Sequence, residues 1–283
     1  MALARIVACV LGASFLGSGL ALGATPRSGV TPQRYYLALG DSLSYGIQPA
    51  KVDAGAPPSA YDTGFVDVFA RRLHALAPRL RVVNYACPGE STVSFVRGGC
   101  PWLAGGRELH DAFHGAQLDA ALAFLHSHPN QVSPITLNLG GNDAQAFSDA
   151  CKGSFACARA RAPRAMKQVA SRLGTILRRL RAAAPRANII VIGLWNNDLV
   201  NPRQSDPLYR QLDSTIGRVA TGARARFVDP FPLFDPEGSL ARRKARICAF
   251  TFSCSRGDGH PTDAGYRAIA TAVLAASGYA HRA

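Results

Sequence analysis

Short apolar runs alternate with longer segments of helical periodicity along most of the chain. The runs typical of buried strands cover residues 35–39, 80–85, 135–139, 189–193 and 226–228. Apolar residues at helical spacing predict helices over residues 65–76, 118–125, 165–184, 208–220 and 262–276. Strands that alternate with helices indicate an α/β fold with a mostly parallel five-stranded sheet and helices on both faces.

Two segments without periodicity interrupt this pattern, residues 47–63 and 87–115. The first is rich in Pro, Gly and Ala, and the second is a long irregular loop. Long loops in compact domains are usually functional, so we expect both to rim a pocket. Trp102 and Trp195 are candidates for lining an acyl pocket, with packing in the core as the alternative.

Polar residues and glycines directly follow three of the predicted strands. Ser42 lies just after the first strand, Gly89 after the second and Asn142 after the third. Ligands of parallel sheets bind outside the carboxyl ends of the strands, so these three residues are expected to converge there.

The residue types at this edge are those needed for nucleophilic catalysis on a carbonyl group. A serine hydroxyl needs an imidazole in reach, and Gly40 permits a tight exit from the strand toward Ser42. The predicted donors of an oxyanion hole are the N–H groups of Ser42 and Gly89 and the side-chain amide of Asn142. The G-x-S-x-G motif of common α/β-hydrolases is absent.

Four sequence blocks carry a resemblance to a known family. They are Gly40-Asp41-Ser42-Leu43, Gly89, Gly140-Gly141-Asn142-Asp143 and His260-Pro261. With these blocks in this order, the chain resembles the GDSL/SGNH hydrolases. The resemblance implies a three-layer flavodoxin-like fold, esterase or lipase chemistry, Ser42 as nucleophile, His260 as general base, Gly89 and Asn142 as oxyanion donors, and no cofactor. Asp41 and Asp143, which stand beside these residues, are predicted to be structural.

The sequence departs from the family pattern before the histidine. The family usually has an aspartate three residues before it, but that position is Gly257, and Asp258 stands two residues before His260. We predict that Asp258 orients the imidazole and completes a triad. The alternative is a backbone carbonyl of residues 254–257, which would leave a Ser-His dyad.

Six of the seven cysteines lie beyond the N-terminal segment and fall into three close pairs. The predicted disulfides are Cys87 with Cys100, Cys151 with Cys157, and Cys248 with Cys254. An even cysteine count fits an oxidising compartment. A zinc site is the alternative for clustered cysteines, but the usual ligand spacings are missing, so no metal is predicted.

The N-terminus has the layout of a secretory signal peptide. Arg5 precedes an apolar run over residues 6–22, and Ala21-Leu22-Gly23 forms a small-x-small cleavage site. We predict a signal peptide over residues 1–23, a linker over 24–33 and a single hydrolase domain over 34–283 of a secreted protein. An uncleaved membrane anchor is the competing interpretation.

A formal net charge of +14 raises the question of a nucleic-acid partner. The arginines are scattered over predicted helix surfaces without interleaved aromatics, so no nucleic-acid binding is predicted. The expected partners are a small-molecule or lipid ester and, transiently, a membrane or anionic envelope surface, with the protein as a monomer. Acyl esters of lipids are the first substrate hypothesis. Carbohydrate O-acyl ester hydrolysis or acyl transfer is the second, and a non-catalytic glycan-binding protein is a third.

Overall fold

A single parallel sheet organises the chain in the computed structural model, which describes residues 31–279. Its strand order is β2-β1-β3-β4-β5, and every neighbouring pair is parallel. The strands are β1 (Tyr35–Gly40), β2 (Arg81–Asn84), β3 (Val132–Asn138), β4 (Ile189–Ile192) and β5 (Arg226–Val228). The predicted mostly parallel five-stranded sheet of an α/β fold is therefore confirmed.

Helices connect these strands and fill the loops between them. In chain order they are α1 (Ser42–Tyr45), α2 (Pro49–Asp53), α3 (Phe65–His74), α4 (Ser94–Arg97), α5 (Pro101–Ala104), α6 (Gln117–Ser127), α7 (Gly141–Ala150), α8 (Phe155–Ala183), α9 (Pro202–Gly222), α10 (Phe231–Phe234), α11 (Leu240–Phe250), α12 (Ser253–Arg256) and α13 (Asp263–Ser277). A 3₁₀ turn at Pro58–Ala60 lies between α2 and α3.

The two faces of the sheet carry separate apolar cores, because successive side chains of a strand point in opposite directions. Leu37 and Leu39 of β1 pack in a cluster with residues of α6, α8 and α9. Tyr36 and Ala38 pack on the other face with residues of α3 and α13. The result is the three-layer arrangement that the resemblance implied.

The five predicted helices are present, but their bounds differ from the predictions, and the structure contains further helices that were not predicted. Helix α8 begins at Phe155, ten residues before the predicted start at residue 165, and contains Pro163 on its exposed side. Ser154 caps it by accepting a hydrogen bond from the N–H of Cys157 at 3.3 Å. The sequence did not predict α7 or α11, because neither has a strongly apolar stripe. No residue of α7 is buried, and α11 buries only Arg243 and Ile247.

The two unpatterned segments fold over a small third cluster that includes Tyr45, Tyr61 and Phe113. Short helices α2, α4 and α5 lie within them. The three predicted disulfides are present, with Cα–Cα distances of 6.0, 5.6 and 5.2 Å in chain order. The Cys87–Cys100 bridge belongs to this cluster.

The predicted signal peptide (residues 1–23) and residues 24–30 of the predicted linker (24–33) lie outside the described residues. None of the helices between residues 31 and 279 combines the length and the apolar character that crossing a membrane requires.

Candidate active site

The end of β1 positions the predicted nucleophile, Ser42. Gly40 has φ of 124°, and a Cβ at this residue would overlap the backbone of Asn138 on the neighbouring strand. The chain can therefore turn sharply here only with glycine. Asp41 follows and caps α1 by accepting a hydrogen bond from the N–H of Leu43 at 3.0 Å. Ser42 is the first residue of this short helix.

Three side chains from opposite ends of the sequence form one line of hydrogen bonds. The Ser42 Oγ lies 2.8 Å from Nε2 of His260, and Nδ1 of the same ring lies 2.6 Å from Oδ1 of Asp258. An ionised carboxylate only accepts hydrogen bonds, so Nδ1 carries the ring hydrogen. Nε2 is then free to accept the hydrogen of the serine hydroxyl.

Asp258 reaches the imidazole although it stands two residues before His260 and not three, as in the family pattern. Its Oδ1 also accepts the backbone N–H of His260 at 2.7 Å, a local side-chain-to-backbone bond that turns the carboxylate toward the ring. The partner of Nδ1 is thus this carboxylate rather than a backbone carbonyl. Burial raises the pKa of Asp258, but hydrogen bonds and charge from His260 together with Arg256 outweigh it and lower the pKa below its ordinary value.

A glycine between the two residues allows this tight geometry. A Cβ on Gly259 would overlap the Nδ2 atom of Asn197, which donates to the Gly259 carbonyl at 3.3 Å. Asn197 in turn accepts a hydrogen bond from Nε1 of Trp195 at 2.6 Å. Trp195 stacks on Phe234 with a centroid distance of 4.0 Å. Sequence reasoning did not assign Asn197 a function, because nothing in its neighbourhood indicates a contact with a residue 62 positions away.

The chain before the histidine is held by a disulfide. The Cys248–Cys254 bridge joins α11 to α12, and the backbone N–H of Phe252 donates to the carbonyl of His260 at 3.0 Å. The bridge therefore constrains the backbone that holds the imidazole.

The predicted oxyanion donors come from the loops after β2 and β3. The N–H of Cys87 donates to the carbonyl of Gly40 at 2.9 Å, which fixes the β2 loop beside the nucleophile turn. Gly89 follows with φ of 87°. The Nδ2 atom of Asn142 donates to the carbonyl of Glu90 at 2.8 Å and so joins the two loops. One of the two amide hydrogens of Asn142 remains for a ligand.

A cavity of about 360 Å³ lies over this constellation. Ser42, Asn142, Asp258 and His260 all line it, together with Trp195. Gly89 is exposed in its turn and is not among the lining residues. The structure thus brings together the predicted triad and Asn142, and it places Gly89 at the margin of this space. Trp195 is also buried in the core.

Two buried residues that the sequence analysis did not select hold these loops. The side chain of Gln117, from α6, accepts the N–H of Gly40 at 2.6 Å and donates to the Gly40 carbonyl at 2.9 Å. Its Nε2 also donates to Oε2 of Glu90 at 3.1 Å. Burial raises the pKa of Glu90 above its ordinary value, although hydrogen bonds from Ser94 and Gln117 oppose the shift.

The two carboxylates predicted to be structural differ in their partners. Burial raises the pKa of Asp41 to about 7, against the opposing hydrogen bond from Leu43. Asp143 accepts hydrogen bonds from the N–H and the hydroxyl of Thr92 and forms an ion pair with Arg172 at 3.4 Å. The hydrogen bond of the Ser42 hydroxyl goes to His260 rather than to either of these carboxylates.

Residues 31–279 contain no group of three or more His, Cys, Asp or Glu side chains arranged to hold a metal ion. The polar groups gathered over Ser42 are instead those of acyl transfer: a hydroxyl, an imidazole held by a carboxylate, and amide donors.

Comparison with known proteins gives the fold relatives and the family of the chain. No curated protein sequence matches the chain. The solved structures that it resembles include a phospholipase A1 from Streptomyces albidoflavus, with 20% identity, a TM-score of 0.59 and coverage of 86% of this chain and 99% of that one. An extracellular lipase from Streptomyces rimosus has 16% identity, a TM-score of 0.58 and coverage of 86% and 99%.

An acetyl xylan esterase variant from Geobacillus stearothermophilus, with 19% identity and a TM-score of 0.52, covers 88% of this chain and 97% of its own. At these identities the likeness concerns the fold. The family assignment comes from the sequence profile of the GDSL-like Lipase/Acylhydrolase family, which matches residues 38–268. That match includes every block of the site, from Ser42 to His260, and it makes this protein a member of the GDSL-like lipase and acylhydrolase family of carboxylic ester hydrolases.

Proposed function

We propose that the protein hydrolyses esters through an acyl-enzyme on Ser42. The observation that carries the proposal is the unbroken line of hydrogen bonds from Asp258 through His260 to the Ser42 hydroxyl, at 2.6 and 2.8 Å. Nε2 of His260 takes the hydroxyl proton as Oγ attacks the ester carbonyl, and Asp258 stabilises the imidazolium that forms. The imidazolium then protonates the leaving alcohol, and the acyl group stays on Oγ.

The second half of the reaction repeats these steps with water. His260 removes a proton from a water molecule, which attacks the acyl-enzyme. The imidazolium then returns the proton to Ser42 Oγ as the bond to the acyl group breaks and the carboxylic acid leaves. The N–H groups of Ser42 and Gly89 and the free amide hydrogen of Asn142 stabilise the oxyanion in both halves. The hydrogen bond from Asn142 to Glu90 supports this role because it fixes the amide beside the β2 loop.

As natural substrates we propose lipid or short-chain acyl esters outside the cytoplasm. The three disulfides of the described chain and the signal-peptide layout of residues 1–23 support secretion. The net charge of +14 favours transient contact with a membrane or an anionic envelope surface.

A carbohydrate O-acyl ester, or acyl transfer to a sugar acceptor, is the second candidate. Amide side chains of Asn138, Asn142, Gln145 and Asn197 line the catalytic cavity, and such groups bind hydroxyls. A panel of p-nitrophenyl esters and acetylated sugars, assayed with and without an acceptor sugar, separates the two candidates.

Labelling with a fluorophosphonate probe tests the proposal directly, because the probe reacts with an activated serine. The protein is expected to be labelled, Ser42→Ala to lose the label, and Ser214→Ala, an exposed serine on α9, to keep it. A folded protein that stays unlabelled would leave the non-catalytic glycan-binding hypothesis as the better account.

A further inference from the structure

The loop over residues 87–115 contains an exposed apolar segment, residues 101–107, here called the α5 tip. Pro101, Leu103 and Ala104 are exposed in it, and 39% of the Leu103 surface is accessible. Between residues 31 and 279, only four large apolar side chains are exposed, and two of them, Leu103 and Val93, belong to this loop. Single exposed apolar side chains are ordinary, but several together mark an interaction surface.

The α5 tip is held in place by contacts on its inner side. The Cys87–Cys100 disulfide ends directly before Pro101. The ring of Trp102 packs on Tyr45 with a centroid distance of 5.6 Å, and its Nε1 donates to the carbonyl of Glu108 at 2.9 Å. Trp102 therefore supports the tip and is not among the residues that line the catalytic cavity. A tip fixed in this way presents its outer side chains with little further cost in conformational entropy.

This tip lies against the loop that carries a predicted oxyanion donor. A Cβ on Gly89 would lie only 3.1 Å from the Cβ of Pro101, so the two residues are in close contact. The same loop is bonded to the nucleophile turn through the N–H of Cys87 and the carbonyl of Gly40. A surface that touches the α5 tip therefore touches the margin of the catalytic site.

The charges around the tip favour an anionic partner. Arg97 and Arg107 are exposed on its two sides along the chain, and residues 91–110 contain a single carboxylate, that of Glu108. The guanidinium of Arg107 lies over the Trp102 ring, 4.6 Å from its centroid. Guanidinium groups bind phosphates well, and the net charge of +14 adds long-range attraction.

The small size of the tip favours a lipid surface over a protein partner. A stable protein interface uses about 20 residues on each side, far more than the tip offers. A phospholipid surface needs only an apolar side chain that reaches the acyl boundary, with tryptophan and arginine at the level of the headgroups. Leu103, Trp102 and the two arginines supply this combination.

We infer that the α5 tip inserts Leu103 into the surface of an anionic phospholipid bilayer and so holds the catalytic cavity at that surface. The inference rests on the proposed hydrolysis of lipid esters and names the surface at which it takes place. Binding through so small a tip is expected to be reversible and to weaken as the salt concentration rises.

Sedimentation with vesicles of equimolar phosphatidylcholine and phosphatidylglycerol tests this inference. The wild type is expected to bind, and Leu103→Glu to lower the partition coefficient by at least about tenfold. Leu240→Glu is the matched control, because Leu240 is 52% exposed on α11 and the substitution changes the net charge equally. Its partition coefficient is expected to stay near that of the wild type. Both variants are expected to hydrolyse a soluble p-nitrophenyl ester as the wild type does, which also shows that they fold.

Phospholipids with brominated acyl chains add a second measurement, because bromine quenches tryptophan fluorescence on contact. The bound wild type is expected to be quenched and Trp102→Phe to lose the quenching. Vesicle binding without quenching, or an equal loss of binding in Leu103→Glu and Leu240→Glu, would overturn the inference.

Two further outcomes separate this inference from the proposed function. Hydrolysis of the soluble ester by a wild type that binds no vesicles, or that binds only an insoluble polysaccharide, would overturn the inference and leave the proposed function intact. Loss of all ester hydrolysis and of fluorophosphonate labelling in the folded wild type would instead remove the proposed function itself.

Discussion

One oxygen of Asp258, Oδ1, accepts hydrogen bonds from both the backbone N–H and the ring Nδ1 of His260, at 2.7 and 2.6 Å. A local bond thus fixes the carboxylate, and the carboxylate fixes the ring. An aspartate two residues before the histidine thus reaches Nδ1, although the family usually has its aspartate three residues before it.

The first prediction concerns this carboxylate. Asp258→Asn is expected to reduce kcat by about 10³- to 10⁴-fold, because an amide offers a hydrogen to Nδ1 and favours the wrong tautomer. Steady-state kinetics on a soluble ester measures it, with Asp119→Asn, an exposed residue on α6, as the control. A fall of less than about threefold would exclude a triad and favour a Ser42–His260 dyad.

The second prediction concerns the space around Gly259. Gly259→Ala forces the new methyl group against Asn197 and is expected to displace His260 and lower kcat by about a hundredfold. Adding Asn197→Gly removes the obstacle and is expected to recover at least about tenfold of that loss. Gly222→Ala, where an added methyl meets nothing, is the control. No recovery in the double variant would mean that Gly259 is needed for a reason other than this contact.

The third prediction compares two disulfides that close loops of equal length. Cys248–Cys254 and Cys151–Cys157 both have a sequence separation of 6, so replacing either with serines should lower the free energy of unfolding by about 2 kcal/mol. Only the loss of Cys248–Cys254 is expected to lower kcat on an acetyl ester, because that bridge holds the backbone bonded to His260. Equal kcat in the two double-serine variants would contradict this assignment.

The fourth prediction is a pH dependence of stability. Burial raises the pKa of Asp213 from 3.8 to about 7, although its Oδ1 accepts the N–H of Leu194. Between about pH 4 and pH 7 the folded protein therefore holds a proton that the unfolded chain has released, and this group makes the protein less stable as the pH rises.

Asp213→Asn keeps an oxygen for the Leu194 N–H and removes the titration. When the pH is raised from 5 to 8, the difference in free energy of unfolding between variant and wild type is expected to shift in favour of the variant by on the order of 2 kcal/mol. Urea unfolding at the two pH values measures this gain, and the exposed Asp119→Asn variant should have none. A constant difference between Asp213→Asn and the wild type would show that the carboxyl is already ionised at pH 5.

The sheet was predictable because each of its strands is a short apolar run, and an apolar run is a local property. The order of Ser42, Gly89 and Asn142 after successive strands was sufficient to place them at one edge, since parallel strands end together. The cysteine pairs were predictable for the same reason, because each partner is near in sequence.

The supports of the site were not predictable in this way. Gln117 contacts Gly40 across 77 residues, and Asn197 contacts Gly259 across 62. Neither residue has a periodic or motif signal, because its function depends on the packing of whole helices. Helix α7 was missed because it has no strongly apolar stripe and none of its residues is buried.

The hydrogen bonds of Gln117 restrict which residue types its position can accept. Its side-chain amide imitates the peptide group of an adjacent strand, giving an oxygen to the N–H of Gly40 and a hydrogen to the carbonyl. Glutamate has the same shape, but one of its oxygens would replace Nε2 and face the Gly40 carbonyl oxygen without a hydrogen between them. It would also place a second carboxyl group beside Glu90. The choice of amino acid on α6 is therefore dictated by β1, and the hydrogen bonds of the Gly40 backbone, two residues before Ser42, are completed by a side chain from another layer of the molecule.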